Sequence, residues 1–407
     1  MEKVINWLDA RFPLTASFKA HLSEYYAPKN FNFWYYFGSL ALLVLVIQIV
    51  TGIFLAMHYK PDGDMAFASV EYIMRDVPLG WLIRYAHSTG ASAFFVVVYL
   101  HMFRGLLYGS YRQPRELIWI FGMLIYLMLM AEAFMGYLLP WGQMSFWGAQ
   151  VIINLFAAVP YIGNDLSTLI RGDFVVGDAT LNRFFALHIV ALPLVLLGLV
   201  AAHLVALHEV GSNNPDGVEI KKNKGADGHP VDGIPFHPYY TVKDILGVAV
   251  FLIVFSAILF FAPEMGGYFL EANNFIPADP LKTPPHIAPV WYFTPYYAIL
   301  RAIPPMFGSQ FPGVLAMGIA VMIFFALPWL DRSPVKSIRY RGPKFKLALV
   351  LFVIAFIGLG WLGIKPVTPL YTLMSQILTA VYFAFFVLMP WYTRNDTFKT
   401  EPERLTK

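Results

Sequence analysis

Four histidines lie inside two strongly apolar stretches, His87 and His101 in one and His188 and His203 in the other. A helix rises 1.5 Å and turns about 100° per residue, so the 14-residue step from His87 to His101 covers ~21 Å and returns to within about 40° of the same face. The 15-residue step from His188 to His203 covers ~22 Å and lands about 60° round. Two such helices facing each other would present two imidazole pairs, one near each surface of a hydrocarbon layer ~30 Å thick. That donor set suits two bis-histidine haems, and electrons could then cross the layer. A lone histidine in an apolar helix is more often hydrogen-bonded to a neighbour, but four at matched spacing are hard to read that way. Glycines repeat the period: Gly38 and Gly52 precede the first pair in one apolar run, and Gly122 and Gly136 lie in another, each 14 residues apart. Close helix packing is the alternative reading, yet a flat macrocycle also needs positions without Cβ at its own depth. Arg84 and Arg104, three residues from a histidine on either end of the second run, can pair with haem propionates or snorkel as anchors.

The elements that must hold these residues are membrane spans. The chain is 58% hydrophobic and only 13% charged, outside the usual range for a soluble domain. Runs long enough to cross a bilayer are read at about 33 to 58, 81 to 108, 117 to 140, 181 to 207, 242 to 262, 312 to 330, 345 to 363 and 371 to 391. The expected fold is therefore an all-α integral membrane protein of eight transmembrane helices, the first four forming a two-haem bundle. The expected divisions are an amphipathic surface segment at 1–32, the haem-binding four-helix domain at 33–210, a cytoplasmic loop at 211–239, and a C-terminal four-helix domain at 240–407. The absence of cysteine excludes disulfides, thioether-linked haem and thiolate iron–sulfur ligation. With eight spans, 20 lysines and arginines fall on the side of the termini and 8 on the other, which predicts both termini in the cytoplasm. The net charge of +4 is thus a matter of topology, and no basic cluster interleaved with aromatics points to nucleic acid.

Four segments, "GQMSFWGA" at 142–149, "LHEVGSNNP" at 207–215, "IPFHPYYTVKDILG" at 234–247 and "TPPHIAPVWYF" at 283–293, complete a pattern over almost the whole chain. With the histidines they make it resemble the cytochrome b family of the respiratory quinol:cytochrome c oxidoreductases, in the unsplit bacterial form. The resemblance implies a low-potential haem on His87 and His188 near the periplasm and a high-potential haem on His101 and His203 near the cytoplasm. It also implies ubiquinol and ubiquinone as substrates, a Rieske-type iron–sulfur protein and a cytochrome c1 as partners, a dimeric complex in the lipid of the bacterial inner membrane, and a contribution to the proton-motive force.

The quinol oxidation pocket is expected between the third and fourth spans, with Tyr137, Trp147 and Gly148, against Pro289, Val290, Trp291 and Tyr292. There this chain departs from the Pro-Glu-Trp-Tyr of the family: Val290 can neither accept a proton nor hydrogen-bond a quinol hydroxyl. Tyr292 remains a pocket hydroxyl. Glu132, about eight residues or ~12 Å inside Pro140 in the third span, is the expected substitute base, with an acid hydrogen-bonded to a neighbouring helix as the alternative. Glu71, Glu264 and Glu271, in flanking loops, rank behind it. On the cytoplasmic side His208, Ser212, Lys243 and Asp244 are candidates to donate hydrogen bonds and protons to a quinone carbonyl, against helix-end capping. The other functional readings are a haem b membrane anchor of a dehydrogenase or hydrogenase with a single quinone site, which needs only four or five spans, and a haem-free transporter.

Overall fold

The structure, a computed structural model, describes residues 2–306 and 308–406. Among the described residues, eight helices are long and apolar enough to cross a membrane: Phe33–Ala56, Gly80–Tyr108, Glu116–Leu138, Asp178–Val210, Phe236–Phe261, Phe311–Leu330, Pro343–Gly363 and Pro369–Val387. They are called the first to eighth spans below. Runs rich in Leu, Val, Ile, Ala and Phe become helices in hydrocarbon because every backbone N–H and C=O must be satisfied within the segment. Their ends are marked by chemistry that stops or starts a helix. Asn32 accepts from the Trp34 N–H at 3.2 Å before the first span, and Thr368 accepts from the Tyr371 N–H at 3.2 Å to cap the eighth. Gly109 (φ 64°) closes the second span in a left-handed conformation that a side chain would strain.

Packing divides the chain differently from the expected boundary at residue 240. The first span packs on the second and the third on the fourth, but the fifth packs on the first and second. Val248 and Phe251 of the fifth span rest against Phe37, Leu40 and Val97, and Gly247 lets the Tyr36 ring in. The C-terminal group is instead the sixth to eighth spans around the short helix Thr294–Ala302. Hydropathy finds a span but not its neighbour, which is why the sequence placed the fifth span with those that follow it. The two groups share one core, in which Trp119 and Tyr126 of the third span meet Phe324, Phe352, Tyr382 and Phe386. The Trp119 indole donates to the Phe324 carbonyl at 2.7 Å, locking the third span to the sixth.

With an even number of spans the two termini share a face. There the strand Tyr26–Pro28 pairs antiparallel with Gly233–Pro235, so the N-terminal segment is stitched to the 211–239 loop. The C-terminal tail joins them. Arg404 binds Asp232 at 2.7 Å and Lys29 binds the same carboxylate at 2.9 Å, while the Thr406 N–H donates to Asp216 at 2.8 Å. Ahead of the strand, the helix Glu2–Asp9 exposes Val4, Ile5 and Trp7.

Candidate functional site: two imidazole pairs and two flanking polar clusters

The four histidines face each other in the expected pairs. The ring centres of His87 and His188 are 6.2 Å apart with planes at 81°, and those of His101 and His203 are 6.4 Å apart at 66°. Two imidazoles sharing one metal through bonds of about 2 Å would have ring centres about 6 Å apart. The 15-residue step is reconciled by a local widening. Residues Leu187–Ala191 form a π-helical turn that takes up the extra residue, so His188 and His203 come round to one side as a 14-residue α-helical step would bring them. Pro193 follows, without the N–H that would bond the Ile189 carbonyl, and its ring disfavours a tight α turn there.

Each glycine serves a particular histidine. A Cβ on Gly52 would stand 3.3 Å from the Cε1 of His87, one on Gly38 3.3 Å from that of His101, and one on Gly122 3.4 Å from that of His203; at Gly136 it would collide with the His188 ring. The glycines thus make room for the imidazoles themselves as well as for anything lying between them. Second partners fix the rings. Nδ1 of His87 donates to Thr51 Oγ1 at 2.9 Å, that hydroxyl having given its own hydrogen to the Ile47 carbonyl at 2.6 Å. Nδ1 of His203 donates to the Ile118 carbonyl at 2.9 Å, and Nδ1 of His188 to the Glu132 carbonyl at 3.0 Å. With Nδ1 as donor, Nε2 carries the lone pair that binds a metal. His101 Nδ1 is buried without a partner, as is Nε of Arg104, whose guanidinium lies over Tyr35 at 5.0 Å. A buried guanidinium nitrogen with no acceptor fits an anionic group that completes the site, such as a propionate.

Among the described residues no three His, Asp or Glu side chains converge as a bare ion would need. Two opposed imidazoles supply axial positions, the donor set for iron carried in a macrocycle. The residues therefore fit a haem at each pair.

Glu132 faces the neighbouring fourth span. Its Oε1 is 3.1 Å from Nδ1 of His188, so the carboxyl backs the histidine. Glu271, in the loop between the fifth and sixth spans, accepts a hydrogen bond from the Tyr137 hydroxyl. Burial pushes its carboxyl up to about 7, against the opposing effect of that hydrogen bond. Tyr292 is buried in the main core, against which Tyr137 packs, and stacks on Phe95 with ring centres 3.9 Å apart. Gly148 lies beside the Tyr137 ring, where a Cβ would be 3.7 Å away. Trp147 is occupied, its indole donating to the Asp279 carbonyl at 3.2 Å. With the Ser145 N–H donating to Asn274 Oδ1 at 2.9 Å and Gln143 bonded to Asp279 and Lys282, the helix Gln143–Ala157 is laced to the loop that carries Glu271. Val290 is buried in the main core, next in sequence to Pro289, and the Trp291 indole donates to Ser92 at 3.2 Å.

On the face of the termini, His208 is half-buried and donates from Nδ1 to the Leu204 carbonyl, 2.9 Å away. Its ring lies 4.7 Å from that of Tyr25 and 5.2 Å from that of His21, and Ser212 Oγ is 3.4 Å from the Tyr25 hydroxyl. Asp244 faces Ser39, next to Gly38. Lys243 is turned aside, its ammonium over Tyr239 at 4.4 Å. The sequence reading missed His21 and Tyr25 because they reach the site only through the strand pairing of the N-terminal segment. The contact of Glu271 with Tyr137 was not legible either, because nothing in a loop's sequence says what it folds against.

The family model described as Cytochrome b/b6/petB matches residues 22–211, and that described as Cytochrome b(C-terminal)/b6/petD matches 277–383. The chain is 67% identical over 406 residues to a cytochrome b of Allochromatium vinosum, covering 99% of this chain and 98% of that one. The chain belongs to the cytochrome b family. A cytochrome b of Rhodospirillum rubrum is 51% identical, covering 96% of this chain and 94% of its own. A protein named Cytochrome b/c1 from Bradyrhizobium diazoefficiens is 46% identical over 99% of this chain and 56% of its own length. A solved chain of a hyperthermophilic respiratory Complex III superposes with a TM-score of 0.87 at 42% identity, covering 95% of this chain and 98% of that one. As a cytochrome b the protein is a multi-pass membrane subunit of quinol:cytochrome c oxidoreductase, and a haem b protein.

Proposed function

We propose that this cytochrome b holds two haems, one between His87 and His188 and one between His101 and His203, oxidises quinol beside Glu271, and reduces quinone beside His208. The observation that carries the proposal is the two facing imidazole pairs with ring centres 6.2 and 6.4 Å apart. When bound, the haems supply a one-electron relay between the two faces. The rest is done by side chains. Oxidation of a quinol releases two electrons and two protons, and the Glu271 carboxylate is placed to accept a hydroxyl proton while Tyr137 and Tyr292 border the same space. At the opposite face His208 and Asp244 deliver protons to a quinone carbonyl, with Tyr25 and Ser212 as hydrogen-bonding neighbours. Arg104, and Arg84 one turn outside His87, pair with propionates.

The side bearing the termini carries 20 of the lysines and arginines against 8 on the other, which supports a cytoplasmic placement in a bacterial inner membrane. Oxidation then lies toward the periplasm and reduction toward the cytoplasm, so each turnover contributes to the proton-motive force. The second electron of each quinol needs an acceptor outside this cysteine-free chain. The relative named Cytochrome b/c1 and the Complex III neighbour support a cytochrome c1 and a Rieske-type iron–sulfur partner. Two copies of the complex are expected to pair, with ubiquinone as the substrate.

A redox titration of the purified complex tests the proposal. Two reversible b-haem waves are expected, with one lost in His188→Leu and the other kept. Retention of both waves in that variant would defeat the ligand assignment. His208→Ala and Asp244→Ala should slow reoxidation of the His101/His203 haem at unchanged haem content; unchanged reoxidation in both would move the quinone site.

A further inference from the structure

The four histidines are not held alike at Nδ1. His188 donates from Nδ1 to the Glu132 carbonyl at 3.0 Å, and the carboxyl Oε1 of the same residue lies beside that nitrogen at 3.1 Å, out of line for a hydrogen bond of its own. His87 faces a hydroxyl oxygen, Thr51 Oγ1, at 2.9 Å. His203 faces a single carbonyl at 2.9 Å, and His101 faces no acceptor among the described residues. The other carboxyl oxygen of Glu132, Oε2, is buried and without a partner, so the contact with His188 is the one polar engagement of that side chain.

An acceptor on Nδ1–H draws the proton away from the ring and makes Nε2 a stronger donor to a metal, which favours the more highly charged oxidation state. The His87/His188 pair is thus the better donor pair at both ends, and the His101/His203 pair is acceptor-poor. We propose that this graded set of Nδ1 acceptors sets the order of potentials in the two haem sites. Glu132 is its main contributor, positioning the His188 ring and polarising it so that the His87/His188 site has the lower potential. Electrons arriving from the quinol pocket then run downhill toward the His101/His203 site. Glu132 acts through His188 and does not touch quinol. The inference rests on the two-haem reading above.

The test is a redox titration of the intact, haem-loaded complex, with low-temperature electron paramagnetic resonance of the ferric haems, in Glu132→Gln, Glu132→Leu and Thr51→Val. In each variant the lower wave is expected to move up and the upper wave to stay, with Leu shifting it more than Gln. The signal of the His87/His188 haem should change in Glu132→Leu because its ring is no longer steered. If Glu132→Leu fails to assemble, Glu132→Gln and Thr51→Val carry the test, and the unmoved upper wave reports intact folding. Both waves unchanged in those two variants, or a lower wave that moves down, overturns the proposal. So does slow quinol oxidation in Glu132→Gln with both waves unmoved, which would return the residue to proton transfer. A wild-type complex showing a single wave would instead refute the two-haem reading itself.

Discussion

Replacing Glu271 with Gln should disable quinol oxidation without disturbing the fold, because the amide oxygen can still accept the Tyr137 hydroxyl while the group can no longer take a proton. Loss of a positioned general base costs about a hundredfold to ten-thousandfold in rate. The pH profile makes the prediction sharper. Burial raises the Glu271 carboxyl to about 7, and only the ionised form accepts a proton, so activity must rise with pH as that group titrates. About half of the molecules carry the carboxylate at pH 7 and about one in ten at pH 6, so quinol oxidation should increase about fivefold between those two values and less than about twofold above. Steady-state quinol:cytochrome c reductase assays from pH 5.5 to 9, on wild type and Glu271→Gln, provide the measurement, with the redox titration of both b haems as the control. In the variant the ascending limb should vanish along with most of the rate. Full turnover with an unchanged limb would show that the proton leaves by another group, and the placement of the pocket acid would be wrong.

Three further outcomes follow from packing and charge. Gly136→Ala should lose the His87/His188 haem from the pyridine haemochrome count, since its Cβ would enter the His188 ring, whereas Gly122→Ala, whose Cβ would stand 3.4 Å from His203, should retain both haems. Trp119→Phe leaves the Phe324 carbonyl without its donor and should destabilise the junction of the third and sixth spans by about 1 to 3 kcal/mol, read as a lower midpoint of thermal unfolding in detergent. The hydrogen bond from Arg404 and the nearby Lys29 hold Asp232 down at about 2, so tail docking should be fully present above pH ~4 and be lost as pH falls toward about 2. Asp232→Asn should expose the tail to carboxypeptidase at neutral pH, and equal protection in variant and wild type would contradict the docking.

Hydropathy located all eight spans, with ends displaced by at most six residues, because twenty apolar residues in a row have few other physical solutions. The histidine and glycine periods were legible for the same reason: within a helix, sequence distance is spatial distance. The limits appear where that equivalence ends. His188 and His203 seemed out of register by one residue, and the π turn that corrects them has no apolar signature. The depth of Glu132 was legible, but not that it meets His188, because a shift of a few residues around a helix turns a side chain from one neighbour to another. Glu271 and Tyr25 lie on segments whose fold depends on what they pack against, and there the sequence carries composition but no direction.

Arg404 and Thr406 bind carboxylates in the 211–239 loop, which is itself zipped to the strand Tyr26–Pro28. Three stretches far apart in sequence thus close over the His208 side of the protein together. Asp232 and Asp216 work as a shared clasp, written in charge, and loosening it would free the strand pair and the 404–406 segment at once.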